Sequence, residues 1–183
     1  MKIVILVKTL LNSDKLNITL QRLAHQLVEN HLSFKDTVLI GIQPRGILLS
    51  DRIFQLVQTI TGNKKIGYGR LDITFYRDDV QSRDIQVPTD TDIPFSIEGK
   101  SVVLIDDVLH TGRTIRSAMD ALIDYGRPKR VELLVLIDRR FSRELPVQPD
   151  YTGHSVDTIL TQKVKVYWSE KDGKDEVVLI DKV

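Results

Sequence analysis

Residues 101–140 read SVVLIDDVLHTGRTIRSAMDALIDYGRPKRVELLVLIDRR, and this stretch decides the fold. The apolar run SVVLIDD (101–107) ends in two aspartates and passes into a short polar loop containing Gly112. Ile115, Met119 and Leu122 then recur at helical spacing, predicting a helix that buries them, until Gly126-Arg127-Pro128 stops it. VELLVLIDRR (131–140), with LLVLI at its centre, reads as another buried strand. Two strands joined by a loop and a helix form a βαβ unit, whose crossover makes the strands parallel and puts helices over the sheet. The fold class expected is α/β, with a central, mostly parallel twisted sheet flanked by helices.

The flanking segments extend this pattern. TVLIGI (37–42) is a short apolar strand ending at QPRG, after which ILLSDRIFQLVQTI resumes helical spacing up to Gly62. Residues 15–31 place Leu16, Leu20, Leu23 and Leu27 on one helical stripe, with Arg22, His25 and Glu29 on the opposite face. MKIVILVKTLL at the start is as apolar as a secretory leader but lacks a small-residue cleavage site, and reads as a buried strand. IGYGRLDITFY (66–76) reads as extended. Residues 77–99 then run without periodicity, with two prolines and many charges, and a segment that long in a compact domain reads as a mobile lid. Beyond Asp138 the chain turns irregular, and KVKVYW and EVVLI, joined by SEKDGKD, predict a terminal hairpin. No repeat or linker interrupts residues 1–183, so one domain is expected.

Composition excludes several classes. A chain of 183 residues with 42% hydrophobic and 28% charged residues suits a globular domain. The absence of cysteine excludes disulfides and Cys-based zinc sites and fits a reducing, cytoplasmic setting. No apolar run reaches the length of a membrane span. Net charge is +1, so any nucleic-acid binding must rely on a local basic patch.

Parallel α/β sheets bind ligands beyond the carboxyl ends of their strands, which is where the QPRG and DDVLHTGRT loops fall. In the second loop Gly112 permits close backbone approach, Thr111, Arg113 and Thr114 add donors, and the following helix aims free N–H groups at the loop. That arrangement suits a phosphate. Asp106 and Asp107 are poor partners for an anion, so they serve another part of the ligand. They can accept hydrogen bonds from vicinal hydroxyls, as on a ribose, or hold a divalent cation through water. A Walker B strand also ends in acids, but it needs an upstream G-x-x-x-x-G-K-S, and the only Gly-Lys-Ser, 99–101, has Pro94 at the first glycine position. A receiver domain opens with an acidic pair after its first strand, but the 76 residues after Asp107 are too few for the rest of one. Helix capping or plain exposure explains one acid but not two beside a Thr-Gly-Arg-Thr turn.

VVLIDDVLHTGRT closely resembles the phosphoribosyl diphosphate (PRPP) signature of type I phosphoribosyltransferases. IGIQPRGILLSDRI, LDITFYRDD, AMDALIDYGRPKRVELLVLIDRR, RELPVQPDYTG and KVKV follow in the order and spacing of the PyrR family, the pyrimidine operon regulators and uracil phosphoribosyltransferases. The resemblance covers nearly the whole chain. It implies that Asp106 and Asp107 hold the ribose hydroxyls, and that Thr111, Gly112, Arg113 and Thr114 wrap the 5-phosphate. Pro44, Arg45 and Gly46 match the diphosphate loop, and Arg77 at the root of the lid helps neutralise the diphosphate. Asp138 and Arg139, with the backbone around Val164, match a hood (138–163) that reads the base edge. Mg²⁺ is implied as the companion of PRPP, near Asp106 and Asp107 and without a direct ligand assigned. The implied assembly is a homodimer or higher homo-oligomer.

The implied activity converts uracil and PRPP to UMP and diphosphate. In that transfer, positive charge develops on the ribose as diphosphate departs, and nearby carboxylates oppose it best at the transition state. Purine-using members usually carry a carboxylate at the position of His110, and its absence here argues against hypoxanthine or guanine. The PyrR family more often has an aromatic residue there, so His110 is a departure. The family also implies UMP-dependent binding of a pyrimidine operon leader RNA, with Arg22 and His25 at matching positions. Gln21, Gln148 and His154 stand where related sequences favour threonine, Arg or Lys, and RRFS (139–142) is one residue longer than the usual hood segment. Two alternatives follow: an RNA-binding attenuator with weak catalysis, and a phosphoribosyltransferase for another base.

Overall fold

The computed structural model describes residues 5–77, 90–159 and 161–182. Along the chain lie β1 (Ile5–Leu11), α1 (Ser13–His31), β2 (Thr37–Ile42), α2 (Gly46–Thr61), β3 (Gly67–Leu71), β4 (Ser101–Leu109), α3 (Arg113–Leu122), β5 (Arg130–Arg140), β6 (Tyr151–Asp157), β7 (Lys163–Tyr167), α4 (Ser169–Asp172) and β8 (Glu176–Lys182). β2 is buried at every position, which a strand achieves only inside a sheet covered on both faces. It lies in a five-stranded sheet of order β3-β2-β4-β5-β6. Every pairing in that sheet is parallel.

The alternation of side chains along each strand splits the core in two. On one face Leu39, Val103, Ile105, Leu134 and Leu136 pack against α1 and α2 through Leu16, Leu20, Leu23, Leu27, Leu49, Ile53 and Val57. On the other, Val38, Ile40, Val102, Leu104 and Val135 meet α3 through Ile115, Ala118, Ala121 and Leu122. The leucine stripe of α1 is buried as its spacing predicts, and Asn12 caps the helix by accepting the Lys15 N–H at 3.0 Å. Met119, expected in the core, is instead 49% exposed. α3 turns its small residues, Ala118 and Ala121, to the sheet, and this lets the helix approach closely while Met119 falls outside the contact.

β7 and β8 form the predicted antiparallel hairpin. The initial apolar run is a strand, but it is not buried in the central sheet. β1 pairs antiparallel with β8, making a separate sheet of order β1-β8-β7. Ile5, Leu6 and Val7 are 57–61% exposed because β1 is the outer strand of that small sheet. Arg52 on α2 fastens this small sheet to the body. Its guanidinium reaches Glu170 at 2.7 Å and Asp175 at 2.8 Å, and it lies 4.7 Å from the Trp168 ring centroid.

The stretch expected to be extended over 66–76 is strand only to Leu71. Asp72 then accepts the Thr74 N–H at 2.7 Å and its hydroxyl at 2.6 Å, turning the chain into a 3-10 turn, Thr74–Tyr76. The lid expected over 77–99 falls largely on residues 78–89, outside the described residues. Its C-terminal part is pinned: Arg70 and Asp92 exchange backbone hydrogen bonds at 2.7 and 2.8 Å, and Ile97 is fully buried.

Candidate active site

β4 carries Asp106 and Asp107 to the carboxyl edge of the sheet. Asp106 is buried, Asp107 is half-buried, and the Asp107 N–H donates to Asp106 Oδ1 at 3.0 Å. The loop between β2 and α2 lies directly against them. A Cβ on Gly46 would sit 2.5 Å from the Ile105 carbonyl oxygen and 3.3 Å from Asp106 Oδ1. Only glycine permits this contact, so it fixes the exposed Pro44 and Arg45 beside the acid pair. Gln43 anchors the loop from the other side. Its N–H donates to the Leu71 carbonyl at 2.9 Å and its side-chain amide to the Asp90 carbonyl at 2.9 Å.

Burial pushes the Asp106 carboxyl well above the usual carboxylate range, and the neighbouring charge of Asp107 pushes it further. The Asp107 N–H and the guanidinium groups of Arg45 and Arg77 pull the other way. Burial also raises Asp107, against the pull of Arg45. Both arginines expected at the diphosphate thus act on the acid pair, and the structure brings Asp106, Asp107, Arg45, Gly46 and Arg77 together.

Thr111–Thr114 form the next turn. Gly112 caps α3 at φ 94°, a left-handed conformation that glycine adopts freely, and a Cβ there would meet Leu145 and Val147 at 3.3 Å. The helix's first backbone bond runs from Arg116 N–H to the Gly112 carbonyl at 3.0 Å. The amides of the first turn therefore have no carbonyl behind them and face the loop. Arg113 is exposed and paired with Glu144 at 2.7 Å. The Thr111 carbonyl accepts the N–H groups of Glu144 and Leu145 at 3.0 and 3.1 Å.

Those bonds tie the loop to the segment after β5, where the expected base-reading residues lie. Arg139 is buried, with Nε donating to Thr158 Oγ1 at 3.1 Å and Nη2 to the Gln162 carbonyl at 2.9 Å. Through Gln162 it reaches the start of β7, where Val164 is half-buried. Asp138 is engaged by Arg143. Arg143 is a site residue that the sequence reading missed. It donates to the carbonyls of Arg139 at 3.1 Å, Leu109 at 3.4 Å and Val147 at 3.0 Å, and also to that of His110. One guanidinium therefore binds the end of β4 to the end of β5. Phe141, in the long RRFS segment, stands 84% exposed in a left-handed conformation at φ 63°. The adjoining concavity, about 470 Å³, is lined by Phe141, Ser142, Thr158, Ile159 and Thr161.

A family model of the phosphoribosyl transferase domain matches residues 7–171. The "Bifunctional protein PyrR" of Picosynechococcus sp. is 46% identical over 171 residues, 93% of this chain and 96% of its own. The protein of that name from Elusimicrobium minutum is 46% identical, covering 96% and 97%. The chain belongs to the PyrR family of phosphoribosyltransferases. Among solved structures, a hypoxanthine-guanine phosphoribosyltransferase from Bacillus anthracis is similar at a TM-score of 0.71 and 16% identity, covering 94% of this chain and 96% of that one. The hypoxanthine phosphoribosyltransferase of Trypanosoma cruzi gives 0.70 and 15%, covering 96% and 97%. At such identities the likeness establishes the type I phosphoribosyltransferase fold and carries nothing about the base.

The two PyrR-family positions expected to contact RNA lie apart from the acid pair, on the outer face of α1. Arg22 donates to the Thr152 carbonyl at 3.2 Å, to that of Gly153 and to Gln26 Oε1 at 3.3 Å, fastening α1 to β6, while His25 is exposed. Among the described residues no group of three or more His, Asp or Glu is placed to hold a metal, and no helix is long and apolar enough to cross a membrane. The buried Asp106 and half-buried Asp107 still offer the hard oxygen ligands that Mg²⁺ prefers, provided a ligand brings the remaining oxygens.

An acid whose folded pKa lies above its unfolded value of about 4 costs the fold nothing below that pH and more as pH rises. Asp106→Asn keeps the oxygen that accepts the Asp107 N–H and removes the charge. It should therefore stabilise the protein at pH 7, with the gain shrinking toward pH 4. Thermal melts across that range check this, and a variant less stable than wild type at pH 7 contradicts it.

Proposed function

We propose that this chain joins uracil to the ribose of PRPP, giving UMP and diphosphate. The observation that carries the reading is the buried acid pair, set between an arginine-bearing glycine loop and the amino end of α3. A 5-phosphate seats on the amides and hydroxyls of Thr111–Thr114, and the ribose hydroxyls donate to Asp106 and Asp107. Pro44, Arg45 and Gly46 receive the diphosphate, with Arg77 opposite. Asp138, Arg139 and the backbone near Val164 shape the base side, Arg139 by holding Thr158 and Gln162 in place.

In the transfer, the bond from C1′ to diphosphate oxygen breaks and the bond from C1′ to N1 of uracil forms, with loss of the N1 proton. The ring carbon bears positive charge between the two events, and ionised Asp106 and Asp107 oppose it. Donors from the ribose and the cations around the pair favour that ionised form. Asp106 and Asp107 would help hold a Mg²⁺ ion brought with PRPP, which when bound would neutralise charge on the departing diphosphate. A pyrimidine is favoured over a purine because Val108, Leu109 and His110 place no carboxylate between Asp107 and Thr111.

A second role, UMP-dependent binding of operon leader RNA, is supported by the word "bifunctional" in the names of the relatives and by the exposed His25. RNA affinity at a net charge of +1 depends on single local cations.

Purified protein given uracil, PRPP and Mg²⁺ should form UMP, and its absence at millimolar uracil overturns the reading. Asp107→Asn should lower turnover by about 100-fold or more with the fold kept. Arg45→Ala should weaken PRPP by roughly tenfold or more and UMP much less, since UMP lacks the diphosphate. Equal weakening of both would refute the role of that loop. For the second role, Arg22→Ala and His25→Ala should each weaken UMP-dependent leader binding without moving the uracil KM. Binding indifferent to both substitutions and to salt would count against it.

A further inference from the structure

Hydroxyls inside helices commonly bond back to the preceding turn of their own helix. Thr19, Ser50, Thr59 and Thr61 do so, donating to carbonyls of α1 and α2 at 2.7–3.0 Å. Ser117 reaches outward. It is 1% exposed in the middle of α3, and its hydroxyl donates at 3.0 Å to the carbonyl of Tyr76, 41 positions earlier in the chain.

Tyr76 closes the 3-10 turn that follows β3, and the turn is anchored before it gets there. Asp72 holds Thr74, Ile73 lies in the core with Ile115 and Ala118, and the Tyr76 N–H donates to the Ile73 carbonyl at 2.9 Å. The far end of Tyr76 is fixed as well, because its phenol donates to Asp124, in the turn just beyond α3. What Ser117 adds is control of the last peptide unit. That unit is planar, so the Tyr76 carbonyl oxygen and the Cα of Arg77 lie in one plane, and pinning the oxygen sets the direction in which the Arg77 side chain departs. The charge of Arg77, half-buried, acts on Asp106 in the crevice. At its other end α3 opens on Gly112, and Arg116, the residue before Ser117, closes the turn whose free amides face the phosphate loop.

Resting on the reading of the crevice as a phosphoribosyltransferase site, we propose that Ser117 is a positioning residue for the reaction, which acts by aiming the Arg77 guanidinium at the diphosphate side of the crevice. Through this one hydroxyl, the helix that seats the 5-phosphate also sets the cation that meets the diphosphate, and the two ends of PRPP are held by one rigid body. Loss of the hydroxyl leaves Ile73 and Asp72 to keep the turn in place. The final peptide is then free to rotate, and ordering Arg77 on the ligand costs more conformational entropy.

Calorimetry on the full chain tests this, with inorganic diphosphate and, separately, ribose 5-phosphate as probes, each in the presence of Mg²⁺. The proteins compared are wild type, Ser117→Ala, Arg77→Ala and the double variant. Ser117→Ala should weaken diphosphate by roughly fivefold or more and leave ribose 5-phosphate unchanged. In the Arg77→Ala background the same substitution should have no further effect, since Ser117 acts through that guanidinium. In turnover the PRPP KM should rise and the uracil KM should not.

Equal diphosphate affinity in wild type and Ser117→Ala overturns the role. A loss that recurs undiminished in the Arg77→Ala background does so too, as does one shared by ribose 5-phosphate, which marks a hydroxyl that only packs α3. A wild-type chain that binds neither probe would instead overturn the reading of the crevice itself, and the role of Ser117 falls with it.

Discussion

Two carboxylates side by side at the buried end of a strand resist ionisation, and the architecture around β4 is arranged about that fact. Gly46 lets the β2–α2 loop press against Asp106, bringing the guanidinium of Arg45 within electrostatic reach of both acids. Asp72 turns the chain after β3 so that Arg77 comes to the same place. Burial and mutual repulsion push the pair toward protonation while these cations pull it back. In the proposed reaction a ligand rich in hydroxyls and phosphate would complete the balance, its hydroxyls donating to the acids and its anionic end engaging the arginines.

The neighbouring structure is a set of braces that hold this balance still. Arg143 joins the ends of β4 and β5 through carbonyl oxygens, and Arg139 joins β5 to the strand that begins the terminal hairpin. Arg52 clamps the small second sheet to α2, the helix that starts at Gly46. Each brace is an arginine whose several donors span segments distant in the chain, a use suited to its rigid planar fork. Catalytic sites need placement finer than an ångström, and braces of this kind supply it.

The central sheet was legible because its signals are local. VLIGI and LLVLI are uninterrupted apolar runs inside β2 and β5, the α1 leucines keep helical spacing, and Gly62 ends α2 where its pattern stops. The acid pair and the Thr-Gly-Arg-Thr turn were legible for the same reason, since their residues are adjacent in the chain. What escaped was non-local. β1 reads as a core strand, but its partner is β8, with Ile5 opposite Lys182, and nothing in the first eleven residues reports that pairing. The exposure of Met119 followed from Ala118 and Ala121 forming the packed stripe, which a search for large apolar residues overlooks. Arg143 bonds mostly to backbone carbonyls, and these leave no trace in the identity of the residues that carry them.

The central claim is that the crevice at the carboxyl end of β4 seats a ribose 5-phosphate. The most direct test is a crystal structure of the protein with UMP. The account predicts the phosphate on the Thr111–Thr114 amides, both ribose hydroxyls within hydrogen-bond distance of Asp106 and Asp107, and the base on the side of Asp138 and Arg139. Nucleotide bound elsewhere, or an acid pair without contact to the sugar, would contradict it.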